Sequence, residues 1–193
     1  MFIQTEETPN PATLKFIPDG HVVLKNGTAE FKNQKQAETK SPLALQLFTI
    51  TGVEAVFFGH DFITITKSGN AVWKYLIAEI QAIIMDFFLT GKDPMFEIKE
   101  DSNAKGANEI STQEDSEIVK QIKELIEIKV RPAVAMDGGD IIFHSFENGV
   151  VYLVLKGSCS GCPSSTVTLK NGIENMLKHY IPEVEAVEQV SED

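Results

Sequence analysis

Ile141-Ile142-Phe143-His144-Ser145-Phe146-Glu147-Asn148-Gly149-Val150-Val151-Tyr152-Leu153-Val154-Leu155 runs directly into Lys156-Gly157-Ser158-Cys159-Ser160-Gly161-Cys162-Pro163. The apolar runs 141–146 and 150–155 flank Asn148-Gly149, and Asn-Gly takes positive φ at both central positions of a tight hairpin. Upstream, Ile118, Val119, Ile122, Leu125, Ile126 and Val130 recur at helical spacing, with an end or bend near Pro132 and a stop at Gly138-Gly139. Downstream, Pro163 suits a first helical position. Val167, Leu169, Ile173, Met176 and Leu177 then give one apolar face to about residue 179, and residues 184–190 (VEAVEQV) return as a strand. The order read from this half is αββαβ.

Residues 100–115 (EDSNAKGANEISTQED) carry one large aliphatic side chain, Ile110, among acids, amides and small residues, the composition of a solvated linker. A flexible segment of that length spans roughly 20–25 Å and lets two domains reorient independently. The division expected is therefore 1–99, a linker at 100–115, and 116–193. Before the linker, short runs at 14–18 (LKFIP), 21–24 (HVVL), 53–59 (VEAVFFG) and 61–67 (DFITITK) read as strands, the last two a hairpin turned by Gly59-His60-Asp61. Leu76, Ile77, Ile80, Ile83, Ile84, Phe87 and Phe88 make a helix from Trp73 to Leu89 that covers the sheet and stops at Gly91. Both halves are mixed, so the fold class is α+β in two small domains.

The chain has 193 residues, 42% hydrophobic and 23% charged, enough to bury a core without disulfides. Its formal charge of −11 argues against nucleic acid as a partner, because a phosphate-backbone binder needs a basic face. No stretch reaches the ~20 apolar residues of a membrane span, so no membrane is expected either. The opening residues lack a secretory or Arg-rich signal. This places the protein in a bacterial cytoplasm, or in a mitochondrial matrix if a presequence has been removed.

The two cysteines, Cys159 and Cys162, stand three positions apart. That spacing suits a metal or redox pair rather than a disulfide framework. Their loop leaves a strand and enters a helix, so N–H groups and the positive helix end face the sulfurs and should favour thiolates. Gly157 and Gly161, with Ser158 and Ser160, keep the loop small. Iron–sulfur clusters and structural zinc both take four protein ligands, and one chain offers two cysteines. His21, His60, His144 and His179 are scattered and make no finger pair. A homodimer supplies four thiolates around one cluster. A redox dithiol and a zinc site are the other readings.

Arg131-Pro132-Ala133-Val134-Ala135, Asp137-Gly138-Gly139-Asp140-Ile141, Gly157-Ser158-Cys159-Ser160-Gly161-Cys162-Pro163-Ser164-Ser165 and Ile181-Pro182-Glu183-Val184 together resemble the NifU-like (NFU-type) C-terminal domain over roughly 116–190. Phe2-Ile3-Gln4-Thr5, Thr8-Pro9-Asn10-Pro11 and Leu14-Lys15-Phe16 resemble the N-terminal domain paired with it in NFU-type scaffolds. The resemblance implies a non-enzymatic scaffold or carrier. It would bind a 4Fe-4S cluster between two subunits through Cys159 and Cys162, receive it from upstream cluster assembly proteins, and deliver it to apo iron–sulfur client proteins. A two-iron cluster would be served equally by two thiolates per subunit, and a thiol–disulfide oxidoreductase is the alternative function.

The remaining candidates read as structural. Asp137 and Asp140 flank a Gly-Gly turn, and His144 is a lone histidine in a strand. Arg131, the only arginine, lies near a helix end, and Ser164, Ser165 and Thr166 are first-turn helix residues. Asn10 stands between two prolines at a rigid bend. The N-terminal domain, lacking candidate ligands, is expected to recognise or modulate clients.

Overall fold

A computed structural model describes residues 2–96, 116–160 and 163–190, with side chains from 167 onward in the last segment. The expected linker lies outside the described residues.

The N-terminal domain is a five-stranded antiparallel sheet with helices on one face. Its strands are β1 (Ile3–Glu7), β2 (Thr13–Pro18), β3 (Ala29–Phe31), β4 (Val53–Phe58) and β5 (Ile63–Lys67), in the order β1-β2-β5-β4-β3. The hairpin expected around His60 is present, Phe58 pairing with Ile63. Helix α1 (Gln34–Lys40) and α2 (Pro42–Leu47) cross between β3 and β4, and Ser41 accepts from the Ala44 N–H as the cap of α2. Helix α3 (Trp73–Leu89) buries Leu76, Ile80, Ile84 and Phe87, a three-and-four series that lays one face on Phe16, Phe58, Ile63 and Ile65 of the sheet.

Residues 21–24 do not form the strand expected of them. The N–H groups of Val23 and Leu24 both donate to the carbonyl of His60, at 2.7 and 3.1 Å, and the imidazole Nδ1 bonds the Leu24 carbonyl. The segment is thus hung on the hairpin turn, with Val23 and Leu24 in the core rather than on a ladder. The strand at the β4 edge of the sheet is the short β3 instead.

In the C-terminal domain, α4 (Glu117–Leu125) continues through a single wide turn, Ile126–Val130, into α5 (Arg131–Met136). The Arg131 N–H reaches back five residues to Ile126. Pro132 explains the widening: it has no N–H to offer and its ring crowds the carbonyl four residues earlier, so the helix spreads instead of breaking. Strands β6 (Gly139–Glu147) and β7 (Val150–Gly157) form the expected hairpin, with Asn148 at φ 51° and Gly149 at φ 81°. Helix α6 (Pro163–Tyr180) follows the cysteine loop, and β8 (Ala186–Gln189) pairs parallel with β7. The order is αββαβ as read, with α4 and α5 counted as one bent helix. Ile122, Ile126, Val134, Ile141, Leu153, Ile173 and Leu177 make a second core.

Truncation inside the first core tests the packing that carries the sheet. Ile80 is fully buried and Tyr75 on the same helix is 74% exposed. Ile80→Ala should lower stability by about 2–5 kcal/mol in urea unfolding, while Tyr75→Ala should stay within about 0.5 kcal/mol.

Candidate cysteine site

Cys159 sits on the turn that carries the chain from β7 toward α6. Three glycines shape the turn's surroundings. Gly139 pairs with Gly157 where the hairpin ends, and a Cβ built on Gly139 would stand 2.8 Å from the Cys159 sulfur. Gly157 has φ 64°, and a Cβ there would lie 2.7 Å from the Gly138 carbonyl oxygen and 3.0 Å from the Gly139 Cα. Side chains at either position are excluded by backbone and by the sulfur itself. Ser158 ties the two turns: its N–H donates to Gly138 O at 3.2 Å, and its hydroxyl makes a short bond to Asp137 O.

The thiol environment differs from that expected of a helix entry. Cys159 is 6% exposed and belongs to the second core. Burial pushes its pKa up to about 11, the Ser158 hydroxyl pulls it back a little, and the carboxylates of Asp137 and Asp140 push it further up. The expectation of a lowered thiol pKa is therefore corrected for Cys159: desolvation of a thiolate outweighs the dipole of the helix ahead. Cys162 lies outside the described residues, as do the side chains of Ser164, Ser165 and Thr166.

Asp140 and Arg131 turn out to be partners. Arg131 Nε and Nη2 donate to the two Asp140 oxygens at 2.8 and 3.1 Å, and Nη1 donates to Glu127 at 2.8 Å. The same Asp140 carboxylate accepts from the Ile141 N–H at 2.8 Å and from the Thr28 hydroxyl at 2.7 Å. It is a buried, fully bonded anion that holds the bent helix to the start of β6, and the paired carboxylates raise the guanidinium pKa further. The structural reading of both residues stands, with a specific partner in place of a generic helix-end cation. Asp137 contributes its carbonyl to Ser158.

The four histidines serve separate local roles. His21 bonds the Asp19 carbonyl and lies beside Phe88, His60 holds the 21–24 segment, and His179 meets Tyr180 edge to face. His144 is exposed at a β-bulge, where the β6–β7 register shifts between Phe143 and Ser145. Among the described residues, no group of three or more His, Cys, Asp or Glu side chains is placed to hold a metal ion.

The N-terminal sheet reaches this site, which the sequence did not signal. The Glu30 carboxylate accepts the Gly157 N–H at 2.9 Å, and Asn10 Nδ2 donates to Ser158 O at 3.2 Å. Thr64 Oγ1 donates to Gly138 O at 2.7 Å, and Lys15 Nζ donates to Met136 O at 3.2 Å. The Phe57 ring closes over Gly157. Asn10 is more than a bend: it is 4% exposed, with its side-chain oxygen on the Ala12 N–H and its amide nitrogen on the cysteine loop.

Comparison with known proteins agrees on both halves. The family profile described as "Scaffold protein Nfu/NifU N terminal" matches residues 3–91, and that of the "NifU-like domain" matches residues 122–188. The chain is 52% identical over 194 residues to the human NFU1 iron–sulfur cluster scaffold homolog, mitochondrial, spanning all of this chain and 73% of that protein. It is 51% identical over 193 residues to the homolog of the same name in Drosophila persimilis, of which it spans 66%. A solution NMR structure of a NifU-like protein from Saccharomyces cerevisiae is 29% identical and covers 51% of this chain and 87% of its own, with a TM-score of 0.46.

Two measurements check the site. Asp140→Asn removes the charge that pairs with a partly exposed guanidinium, so the loss should be moderate, about 1–3 kcal/mol in urea unfolding. In the iron-free chain, Cys159 alkylation should rise through a midpoint near pH 11, as its pKa requires. Near neutral pH, that depletes thiolate about 100-fold relative to the urea-unfolded chain. The folded thiol binds its proton more tightly than the unfolded one. Its contribution to stability is therefore intact below the ordinary thiol range and is lost as pH rises toward 11.

Proposed function

This chain belongs to the Nfu/NifU scaffold family, and from that premise we propose that it accepts an iron–sulfur cluster through Cys159 and Cys162 and hands it on to apo iron–sulfur proteins. The cluster is cargo. The observation that carries the reading is the position of Cys159. It stands on a tight turn of small residues between β7 and the 18-residue helix α6, three positions before Cys162. Curated relatives of high identity are named as iron–sulfur cluster scaffold homologs.

The donor chemistry fits such a cargo. Thiolate is the soft ligand that iron–sulfur clusters take, and a metal draws off the proton that burial otherwise holds on Cys159. Two thiolates satisfy half of a four-ligand cluster, so the cargo is shared between two copies of the chain, each contributing Cys159 and Cys162, and the family resemblance, rather than the ligand count, makes it a 4Fe-4S cluster. Such a shared site comes apart when the copies separate, which suits delivery rather than permanent electron transfer. The protein then acts as a carrier and not an enzyme, loaded by upstream cluster assembly proteins and emptied by clients. The relatives' names favour mitochondria over the bacterial cytoplasm as its compartment.

The thiol–disulfide oxidoreductase reading fits less well. A thiol pushed up to about 11 is protonated near neutral pH and attacks disulfides poorly, and the chain enters the cysteine loop from the antiparallel β6–β7 hairpin, not from the βαβ unit that precedes a thioredoxin-like dithiol.

Anaerobic reconstitution with iron and sulfide tests the proposal. A brown dimer with about two irons and two sulfides per chain is expected for wild type, and a colourless chain for Cys159→Ala and for Cys162→Ala. A wild-type chain that stays colourless and monomeric while reducing insulin disulfides would turn the assignment toward the dithiol.

A further inference from the structure

The N-terminal sheet has helices on one face only, yet part of its other face is buried. In β2, Leu14 and Phe16 point into the core, while Thr13 and Lys15 point outward and are buried all the same. Thr64 in β5 and Phe57 in β4 are likewise on the outer face, and Phe57 is 2% exposed without belonging to the core beneath the helices. One cross-strand row accounts for this. Glu30 pairs with Phe57, Phe57 with Thr64, Thr64 with Lys15, and Lys15 with Glu6, so the row crosses all five strands.

Four members of that row touch the turns around the cysteine. Glu30 and Phe57 meet Gly157, Thr64 meets Gly138, and Lys15 meets Met136 while keeping an ion pair with Glu6 at 3.4 Å. Asn10 and Thr28 extend the contact to Ser158 and Asp140. The row therefore matches the backbone of two turns: a carboxylate for an N–H, a hydroxyl and an ammonium for two carbonyls, and a ring over the glycine between them. Its partner is the chain's own cysteine loop.

We propose that the N-terminal sheet is a reversible cover for the cysteine loop, docked through the Glu30-Phe57-Thr64-Lys15 row in the empty chain and displaced when the loop is loaded. The sheet sits on the turns either side of Cys159, at Gly138, Gly157 and Ser158, and Cys159 itself is 6% exposed, whereas a cluster shared with a second copy of the chain needs its sulfur at the surface of both. The interface is also open to release: most of its hydrogen bonds go to backbone groups, with the Phe57 ring and the Thr28–Asp140 bond beside them, and water replaces such bonds on opening. The loading half of this proposal rests on the scaffold reading, while the covering half does not.

Alkylation of Cys159 by iodoacetamide in the iron-free full-length chain at neutral pH, followed by mass spectrometry, reads the cover directly. Glu30→Lys and Phe57→Asp, checked for folding by circular dichroism, should each speed labelling at least tenfold. Thr64→Val, which keeps the side-chain shape and removes the bond to Gly138, should speed it several-fold. In reconstitution the same variants should take up iron and sulfide faster than wild type. Labelling rates unchanged in all three variants would overturn the cover whatever the iron results. Faster labelling in a chain that takes up no cluster, wild type or variant, would leave the cover standing and remove the scaffold reading instead.

Discussion

Gly139 and Gly157 face each other at the open end of the β6–β7 hairpin, and the approach of their backbones fixes what surrounds them. On one side the Cys159 sulfur occupies the space that a Gly139 side chain would take; on the other, Phe57 occupies the space beside Gly157. Gly138 offers its carbonyl to Thr64 from one domain and to the Ser158 N–H from the other. The close approach of two glycine backbones thus ends the hairpin, leaves room for the cysteine and offers an N–H and a carbonyl to side chains of the neighbouring domain. Its floor is Asp140, whose buried carboxylate binds Arg131, the Ile141 N–H and Thr28 together. A charge held by so many donors is costly to disturb, so the turn keeps its shape while what lies above it changes.

The N-terminal sheet divides its faces between two kinds of bonding. Beneath α3, aliphatic and aromatic side chains interlock and are removed from water entirely. Across the outer row, by contrast, most of what crosses is one hydrogen bond at a time, each worth only ~0.5–1.5 kcal/mol net because water competes for the same groups. The first kind makes a domain that persists and the second makes a contact that opens. The difference follows from the strand period of two, which sends Leu14 and Phe16 one way and Thr13 and Lys15 the other.

Elements whose signals are local were legible in the sequence. Asn148-Gly149 specified the hairpin, the three-and-four spacing from Trp73 gave α3 to the residue, and Pro163 marked the start of α6. Segment 21–24 misled because Val23 and Leu24 are apolar for the sake of the core, while their N–H groups go to a single carbonyl contributed by a distant turn. The cysteine pair was visible as a pair, but the state of Cys159 was not. Its pKa is set by burial in the second core and by the Asp137 and Asp140 carboxylates, brought near only by folding. Asn10, Glu30 and Thr64 carried no signal, since a polar residue on the outer face of a strand looks solvated until something covers it.

An empty carrier of an oxygen-sensitive cargo faces opposed requirements at its cysteines. Oxidation of a thiol proceeds through the exposed thiolate, and so does ligation of iron, so one surface cannot suppress the first while permitting the second. Two arrangements of the same chain can. With the sheet docked, Cys159 is desolvated, protonated and walled in by Gly139, which slows attack by oxidants. In the proposed open arrangement the loop would regain water and its helix end, the setting in which a thiolate forms. The outer row of the N-terminal domain then has a purpose that its lack of ligands would not suggest: it separates storage of the thiol from its use.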